Sequence, residues 1–320
     1  MQTAKEIFLE LLKPDGRPER VLRQYEALHM CLYDPINTYL RGNRRRGSVT
    51  KDRWGTTISF PEDAPGAIPV HSDELTVCPD ITRWRETVHA PDLAASCTEG
   101  WEECRRKARD TAGEQQLVAG FMGTGIFEQC HFLMGFENTL TALYEHPEEM
   151  HQLIEYITEY RLGYVKLLID HLQPDVIFSH DDWGTKDALF MKPEMWRTFF
   201  KEPYRRFYGY IRSRGVIAIH HADSYLVPIV DDMAEIGIQV WQGVLPENDI
   251  PALQRHLNGR LTLMGGFGAA IDRKDATPED ILTYAQFGQV ATKFFEKRAQ
   301  KKKCGDPDGY HVSNITVAAE

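Results

Sequence analysis

The 320-residue chain has no run approaching the ~20 consecutive apolar residues of a bilayer-spanning helix, so no membrane span is expected. It is also poor in cysteine. The six present (Cys31, Cys78, Cys97, Cys104, Cys130 and Cys304) are irregularly spaced and form no CxxC. That spacing gives no support to a zinc ribbon or a redox dithiol and leaves reduced thiols as the expectation. Basic residues are outnumbered, 37 Lys and Arg against 47 Asp and Glu. The resulting net charge of −10 argues against a nucleic-acid partner, which calls for a basic excess. No internal repeat or long low-complexity tract is visible. Met1–Pro14 lacks the ordered basic, apolar and small-residue blocks of a signal peptide and reads as a short amphipathic helix. The expected compartment is the cytoplasm.

What is present is globular in character. Hydrophobic residues make up 42% and charged residues 26%, enough to bury a large core. The length allows either two domains or one α/β barrel of ~250 residues. Texture changes near residue 115. Before it, Pro, Gly, Arg and Trp are scattered through irregular segments such as Arg41–Gly47 and Trp54–Pro69. After it, short apolar runs alternate with helical patterns. Strands are expected at Leu117–Met122, Asp175–Ser179, Gly215–Ile219, Ile238–Trp241 and Leu261–Met264. Helices are expected from Pro147 to about Leu172, from Pro193 towards Arg214, over Pro228–Ile236 and Ile250–Leu257, and after Thr277. Strands that alternate with helices imply a mostly parallel sheet buried on both faces, either a closed barrel or a doubly wound sheet.

The residues capable of chemistry follow strand ends: His180-Asp181-Asp182-Trp183, then His220-His221-Ala222-Asp223, then Gln242. In a barrel, loops at that end converge on one axis. Asp181 and Asp182 are both candidates for a general acid or base. Neighbouring strand residues point to opposite sides, which favours Asp182, in phase with His180. In extended backbone His221 and Asp223 point the same way and could share a metal, with Asp182 or His180 as a further ligand. The competing reading is a hydrogen-bonded histidine and a helix-capping aspartate. Gly123-x-Gly125-x-x-Glu128 has a glutamate where a dinucleotide loop has its third glycine, so tight packing of a strand-to-helix turn is the expected role. Trp183 and Trp241 adjoin strand ends and could wall a pocket for a flat ligand, beside the commoner core role. The basic runs Arg41–Arg46 and Lys297–Lys303 read as solvated surface.

Three segments carry a family resemblance: Phe178–Pro203, with SHDDWG near its start; Ile219–Gly237 (IHHADSYLVPIVDDMAEIG); and Gly265–Asp272 (GGFGAAID). Together, over roughly residues 115–285, they resemble the uroporphyrinogen decarboxylase-like superfamily. The resemblance implies a (β/α)8 barrel. It further implies one domain over 1–320, with an irregular N-terminal lobe at 1–114 packed on the barrel, the main βα units at 115–290 and a C-terminal segment at 291–320. The superfamily includes porphyrinogen decarboxylases and corrinoid-dependent methyltransferases. The decarboxylases' N-terminal PxWxMRQAGR-type motif is missing from Arg17–Tyr25 (RPERVLRQY). In the thiol-methylating branch the zinc ligands are His-x-Cys and a later Cys. Here Asp223 stands at the Cys position, a harder ligand that suits a metal acting as a Lewis acid on an oxygen substrate and still allows zinc. The Asp-Asp-Trp-Gly element at Asp181–Gly184 is most similar to methyltransferase components of O-demethylase systems.

The resemblance therefore implies a methyltransferase that moves a methyl group from a methoxylated, aromatic compound to the Co(I) corrinoid of a partner protein. Asp182, His180 and Asp181 are its candidate catalytic residues. Trp183, Gln242, Trp241 and His220 are the candidate substrate contacts, and His221 and Asp223 the candidate metal ligands, with zinc the expected ion. A homodimer is compatible with this reading. Two alternatives stand beside it: a cofactor-free decarboxylase of uroporphyrinogen or a related acid, and a non-catalytic binding protein of the same fold.

Overall fold

The structure is a computed structural model and describes residues 2–266 apart from 14–15, 24, 43, 65 and 95–98. The helix expected after Thr277, the 291–320 segment, the 297–303 basic run, Cys97, Cys304 and most of the 265–272 segment lie outside the described residues.

Six strands form one all-parallel sheet in chain order: β1 (Leu28–Cys31), β2 (Leu117–Met122), β3 (Val176–His180), β4 (Ile217–His221), β5 (Val240–Val244) and β6 (Thr262–Gly265). Every neighbouring pair is parallel, and helices separate successive strands from β2 onwards, so the fold is of the expected barrel class. Closure is not seen among the described residues. The first strand comes from the N-terminal third, where the sequence shows no alternating pattern. Leu28–Cys31 is four residues long, too short to display one. The rest of that third includes a three-stranded antiparallel sheet over Ser48–Lys51, Thr57–Phe60 and Ile68–Pro69.

The strands divide their side chains between two cores. One cluster holds the alternate residues Leu117, Ala119, Val176, Phe178, Ile219, Val240 and Met264 together with Ala4, Ile7, Phe8 and Leu11 of the N-terminal helix. This is the inward face, with the Ala4–Leu11 helix packed at the strands' N-terminal ends. There Lys5 N–H donates to Gln115 O and the Thr262 hydroxyl donates to Leu11 O. That helix is started by a reciprocal cap between Thr3 and Glu6. The opposite face, carrying Val118, Met122, Ile177, Ala218, Trp241 and Leu263, packs against the surrounding helices.

One expected helix is interrupted. Pro193–Trp196 and Glu202–Ser213 are α-helical, and a π turn spans Arg197–Lys201 between them. Pro203 has no N–H to bond the Phe199 carbonyl and its ring would crowd that oxygen, so the regular ladder cannot run through.

Candidate active site

Register assembles the site. His180 of β3 pairs with His221 of β4, and His221 pairs with Gln242 of β5, so the three stand side by side at one level. Each is two residues beyond an inward apolar residue (Phe178, Ile219, Val240), so each continues the inward face. The His180 and His221 rings stack with centroids 4.4 Å apart. Asp182, just past the end of β3, completes the group: donor atoms of His180, Asp182 and His221 all lie within 4.8 Å of one another.

Each member has a partner that fixes it. His180 Nδ1 bonds Glu128 Oε2 at 3.1 Å. His221 Nδ1 bonds the Gln242 side-chain oxygen, which as an acceptor requires a protonated Nδ1 and leaves Nε2 with its lone pair. Asp182 Oδ1 accepts the Asp223 N–H at 3.1 Å and the Ser224 hydroxyl at 3.4 Å.

Glu128 comes from the turn after β2. Gly125 caps the Ile126–Met134 helix and donates its N–H to Glu128 at 3.1 Å. Asp181 meets the same helix end, accepting the Phe127 and Glu128 N–H groups at 3.1 and 2.9 Å. A Cβ added at Gly125 would lie 2.0 Å from the Asp181 carboxyl carbon, so this glycine makes room for the carboxylate. Arg161, from the helix Pro147–Leu172, donates to the Gly123 and Thr124 carbonyls and to Ser179 Oγ, tying the turn to β3.

Burial and charge set the protonation states. Burial disfavours the His180 imidazolium, but the Glu128 carboxylate outweighs it and lifts His180 to about 9. Burial likewise opposes ionisation of Glu128, yet the charge and hydrogen bond of His180 hold it below the usual carboxylate range. Asp182 is raised to about 7, chiefly by burial and then by Glu128, with His180 pulling the other way. Burial and the neighbouring His180 depress His221. Burial and Glu128 push Asp181 well up. Near neutrality the site holds a Glu128–His180 ion pair, a neutral His221 and a partly protonated Asp182.

His180 of this group and its partner Glu128 line a cavity of about 260 Å³. Its lining also includes Gly123 and Phe121 together with Trp54, Tyr160, Arg41, Arg44 and Asp52. Trp54 and Tyr160 meet edge to face, centroids 4.8 Å apart.

The structure brings together His180, Asp182, His221 and Gln242. It does not bring in the others. Asp181 is fully buried as a helix cap. Asp223 is exposed, and its carboxylate is not in the metal-competent group. Strand β4 ends at His221, so the alternation that would aim Asp223 alongside it stops there. His220 and Trp241 point to the helix side and Trp183 packs there with them, all three inaccessible. Trp183 stacks on His220 at 4.0 Å and donates to Tyr204 OH, His220 Nδ1 meets Tyr208 OH at 2.7 Å, and Trp241 donates to Ala222 O. The aromatic residues that line the cavity are instead Trp54, Phe121, Phe132, Tyr160 and Tyr164. Glu128 and Arg161 were not among the expected site residues. The signal for Glu128 was its capping-box spacing from Gly125 directly after a strand. Arg161 had none, being one arginine in a long helix. Arg44, expected to be solvated, has only 15% of its side chain exposed.

Residues 48–286 match the family Uroporphyrinogen decarboxylase (URO-D). No curated protein matches the chain. Among solved structures, a methyltransferase from Methanosarcina mazei is similar in fold, with a TM-score of 0.63, 17% sequence identity and 89% of each chain covered. No helix among the described residues is long and apolar enough to cross a membrane.

Proposed function

Since the chain belongs to the uroporphyrinogen decarboxylase family, we propose that it is the branch member that breaks a methyl–oxygen bond, passing the methyl group of a methoxylated, single-ring compound to the Co(I) corrinoid of a partner protein. The observation that carries this reading is the inward-facing trio His180, Asp182 and His221, whose His180 lines a cavity of about 260 Å³. That volume sits just below the ~300–1,000 Å³ usual for ligand pockets and suits one ring better than a tetrapyrrole.

The chemical obstacle is the leaving group, since an alkoxide or phenolate departs poorly from a neutral ether. Protonation of the ether oxygen lowers that barrier. Asp182, raised to about 7, still carries a proton in part of the population at neutral pH and can deliver it to that oxygen as the methyl–oxygen bond breaks. A Co(I) corrinoid on the partner would supply the nucleophile that accepts the methyl group, and with the Asp182 proton on its oxygen the donor would leave as the alcohol or phenol. Glu128 holds His180 in place, and Gln242 fixes the His221 tautomer.

The same trio fits a divalent metal. Both histidines use Nδ1 for a second partner, Glu128 or Gln242, an arrangement that orients metal-binding imidazoles. Donors around a tetrahedral zinc with bonds of about 2.0–2.1 Å are roughly 3.4 Å apart, so a donor group within 4.8 Å needs only side-chain rotation to close. Bound there, zinc would supply Lewis-acid activation of the donor oxygen. The ligand set proposed is therefore His180, Asp182 and His221, with Asp223 excluded.

The test is incubation with a reduced corrinoid protein and a panel of methoxylated ring compounds, following the Co(I) to methyl-Co(III) spectral change. Transfer from at least one donor is expected. No transfer from any donor, with decarboxylation of uroporphyrinogen instead, would replace this reading by the lyase. Elemental analysis assigns the acid or the metal route: a metal-bearing protein should lose its ion on His221→Ala and keep it on Asp223→Ala.

A further inference from the structure

The fold brings together two thiols that lie 73 positions apart in the chain. Cys31 ends β1, Cys104 lies in the helix Trp101–Ala112, and their sulfurs are 3.6 Å apart. Both thiols are free and buried. The sulfurs need to approach by only about 1.5 Å to reach the ~2.05 Å of a disulfide. The pair is prepared for that chemistry. A hydrogen bond from the Cys104 S–H, assisted by the Lys107 ammonium, holds the Cys31 thiol below its usual range against the opposing effect of burial. Lys107 sits over the Tyr33 ring, 4.4 Å from its centroid. By contrast, burial pushes the Cys78 thiol up to about 11 and raises Cys130 as well. The place of the pair in the chain ties it to the cavity. Asp34, just past Cys31, caps the helix Pro35–Arg41 by accepting the Asn37 N–H at 2.9 Å. Asn37, Leu40, Arg41, Arg44, Asp52 and Trp54, all in the cavity lining, belong to the stretch of chain between the two cysteines. The strands that carry His180, His221 and Gln242 lie outside that stretch. Cys31 and Cys104 therefore stand at the neck of segment 32–103, which supplies part of the cavity lining.

We propose that Cys31 and Cys104 are a reversible redox staple, closing the neck of segment 32–103 on exposure to a hydroperoxide and releasing it under thiol reductants. Burial limits the oxidant to a small one, admitted by local opening of the segment. The Cys31 thiolate attacks one peroxide oxygen, the O–O bond breaks, and the other oxygen leaves with a proton as water. The Cys104 sulfur then attacks the resulting sulfenic acid, forming the S–S bond, and its proton leaves with the hydroxyl as a second water. Two thiols and one hydrogen peroxide give one disulfide and two waters. Closing so long a loop restricts the unfolded chain, so the oxidised form is the more stable one. No residue of the catalytic trio takes part, and the staple stands whether or not the methyl-transfer reading does.

Hydrogen peroxide treatment of the full chain, followed by alkylation, digestion after glutamate and mass spectrometry, tests the staple. Glu99, Glu102 and Glu103 separate Cys97 from Cys104, so the digest tells the two apart. Peptides joined through Cys31 and Cys104 should be the dominant cross-link, two hydrogens lighter than the free pair and absent after dithiothreitol. The oxidised protein should melt roughly 5 °C above the reduced one. Its amide exchange should slow across 32–103 and stay unchanged in β3 to β5. Cys104→Ala should abolish the link, the melting shift and the slowed exchange, and its melting before oxidation shows that the variant is folded. Peroxide that leaves Cys31 and Cys104 unlinked, or drives them to sulfinic acid instead, would overturn the staple. So would a dominant link to another cysteine, or a linked protein with neither the melting shift nor slower exchange in 32–103. A Cys104→Ala protein that still shows the peroxide-dependent melting shift would do the same.

Discussion

The two ends of the barrel interior are built from the same strands and differ completely in chemistry. At one end Val176, Phe178, Ile219, Val240 and Met264 pack with Ile7 and Phe8 of the N-terminal helix into a dry core. Two residues further along, the same inward face carries His180, His221 and Gln242. The comparison teaches how a barrel holds polar groups against each other. The lower layer fixes the spacing of the strands by close packing, and the upper layer inherits that spacing. Buried polar groups are then tolerable because each has a partner: Glu128 for His180, Gln242 for His221, and the Asp223 N–H for Asp182.

Damage to the lower layer should therefore act on stability and damage to the upper layer on turnover. The largest effect is expected for Phe178→Ala. It removes a nearly inaccessible ring from the plugged core and should destabilise the fold by about 3–5 kcal/mol in chemical denaturation. Its residual activity should track the folded fraction. An unchanged denaturation midpoint would mean that the lower layer is not the structural one.

Asp182→Asn should do the opposite. Loss of one general acid or metal-binding carboxylate lowers turnover by about 10²–10⁴-fold. Stability should not fall. The wild-type carboxyl is raised from 3.8 to about 7, so its ionisation works against the fold as pH climbs through that window, and the amide escapes that penalty above it. Denaturation curves at pH 5 and 8 measure this. Near-wild-type turnover would assign Asp182 to structure.

Glu128→Gln sharpens the comparison from inside the site. His180 should fall from about 9 towards its ordinary 6.5, visible in an NMR titration of its ring. A histidine raised on folding stabilises fully below 6.5 and loses that contribution as pH rises through about 9. The stability gap between wild type and variant should therefore be widest in mildly acidic solution and shrink by pH 9 to 10. A gap independent of pH would show that the ion pair is not its source.

The smallest effect is expected behind the strands. Trp183→Phe keeps the stacking on His220 and loses one hydrogen bond to Tyr204, a loss of about 1 kcal/mol. Donor KM should not move, because Trp183 lies outside the cavity. A several-fold rise in KM would return it to the ligand wall.

Much of this architecture was legible beforehand. Five of the six parallel strands follow from apolar runs of four to six residues between helical patterns. His180 and His221 were findable because both sit at strand ends, where phase decides direction. Phase also separated Asp182 from Asp181, since a capping carboxylate and an inward one must be out of register. Asp223 does not follow that phase, because it lies beyond the end of β4 at His221. His220 and Trp241 fall on the helix side by the same alternation. Arg44 was misread because a cluster of arginines carries no sign of which one the fold will cover.

Local pattern alone determined the alternation of strands and helices, the acidic surface and the polar residues at successive strand ends, because each depends on neighbours within a few positions. Tertiary structure decided the rest. It brought β1 from the irregular N-terminal third to the edge of β2, joined Glu128 to His180 across 52 positions of chain, and set Arg44 and Trp54 in the lining of the same cavity as the β3 histidine. These pairings are long-range. They are set by the register between strands and by which loops the packed barrel brings to one mouth, and neither quantity is written in the spacing of residues along the chain.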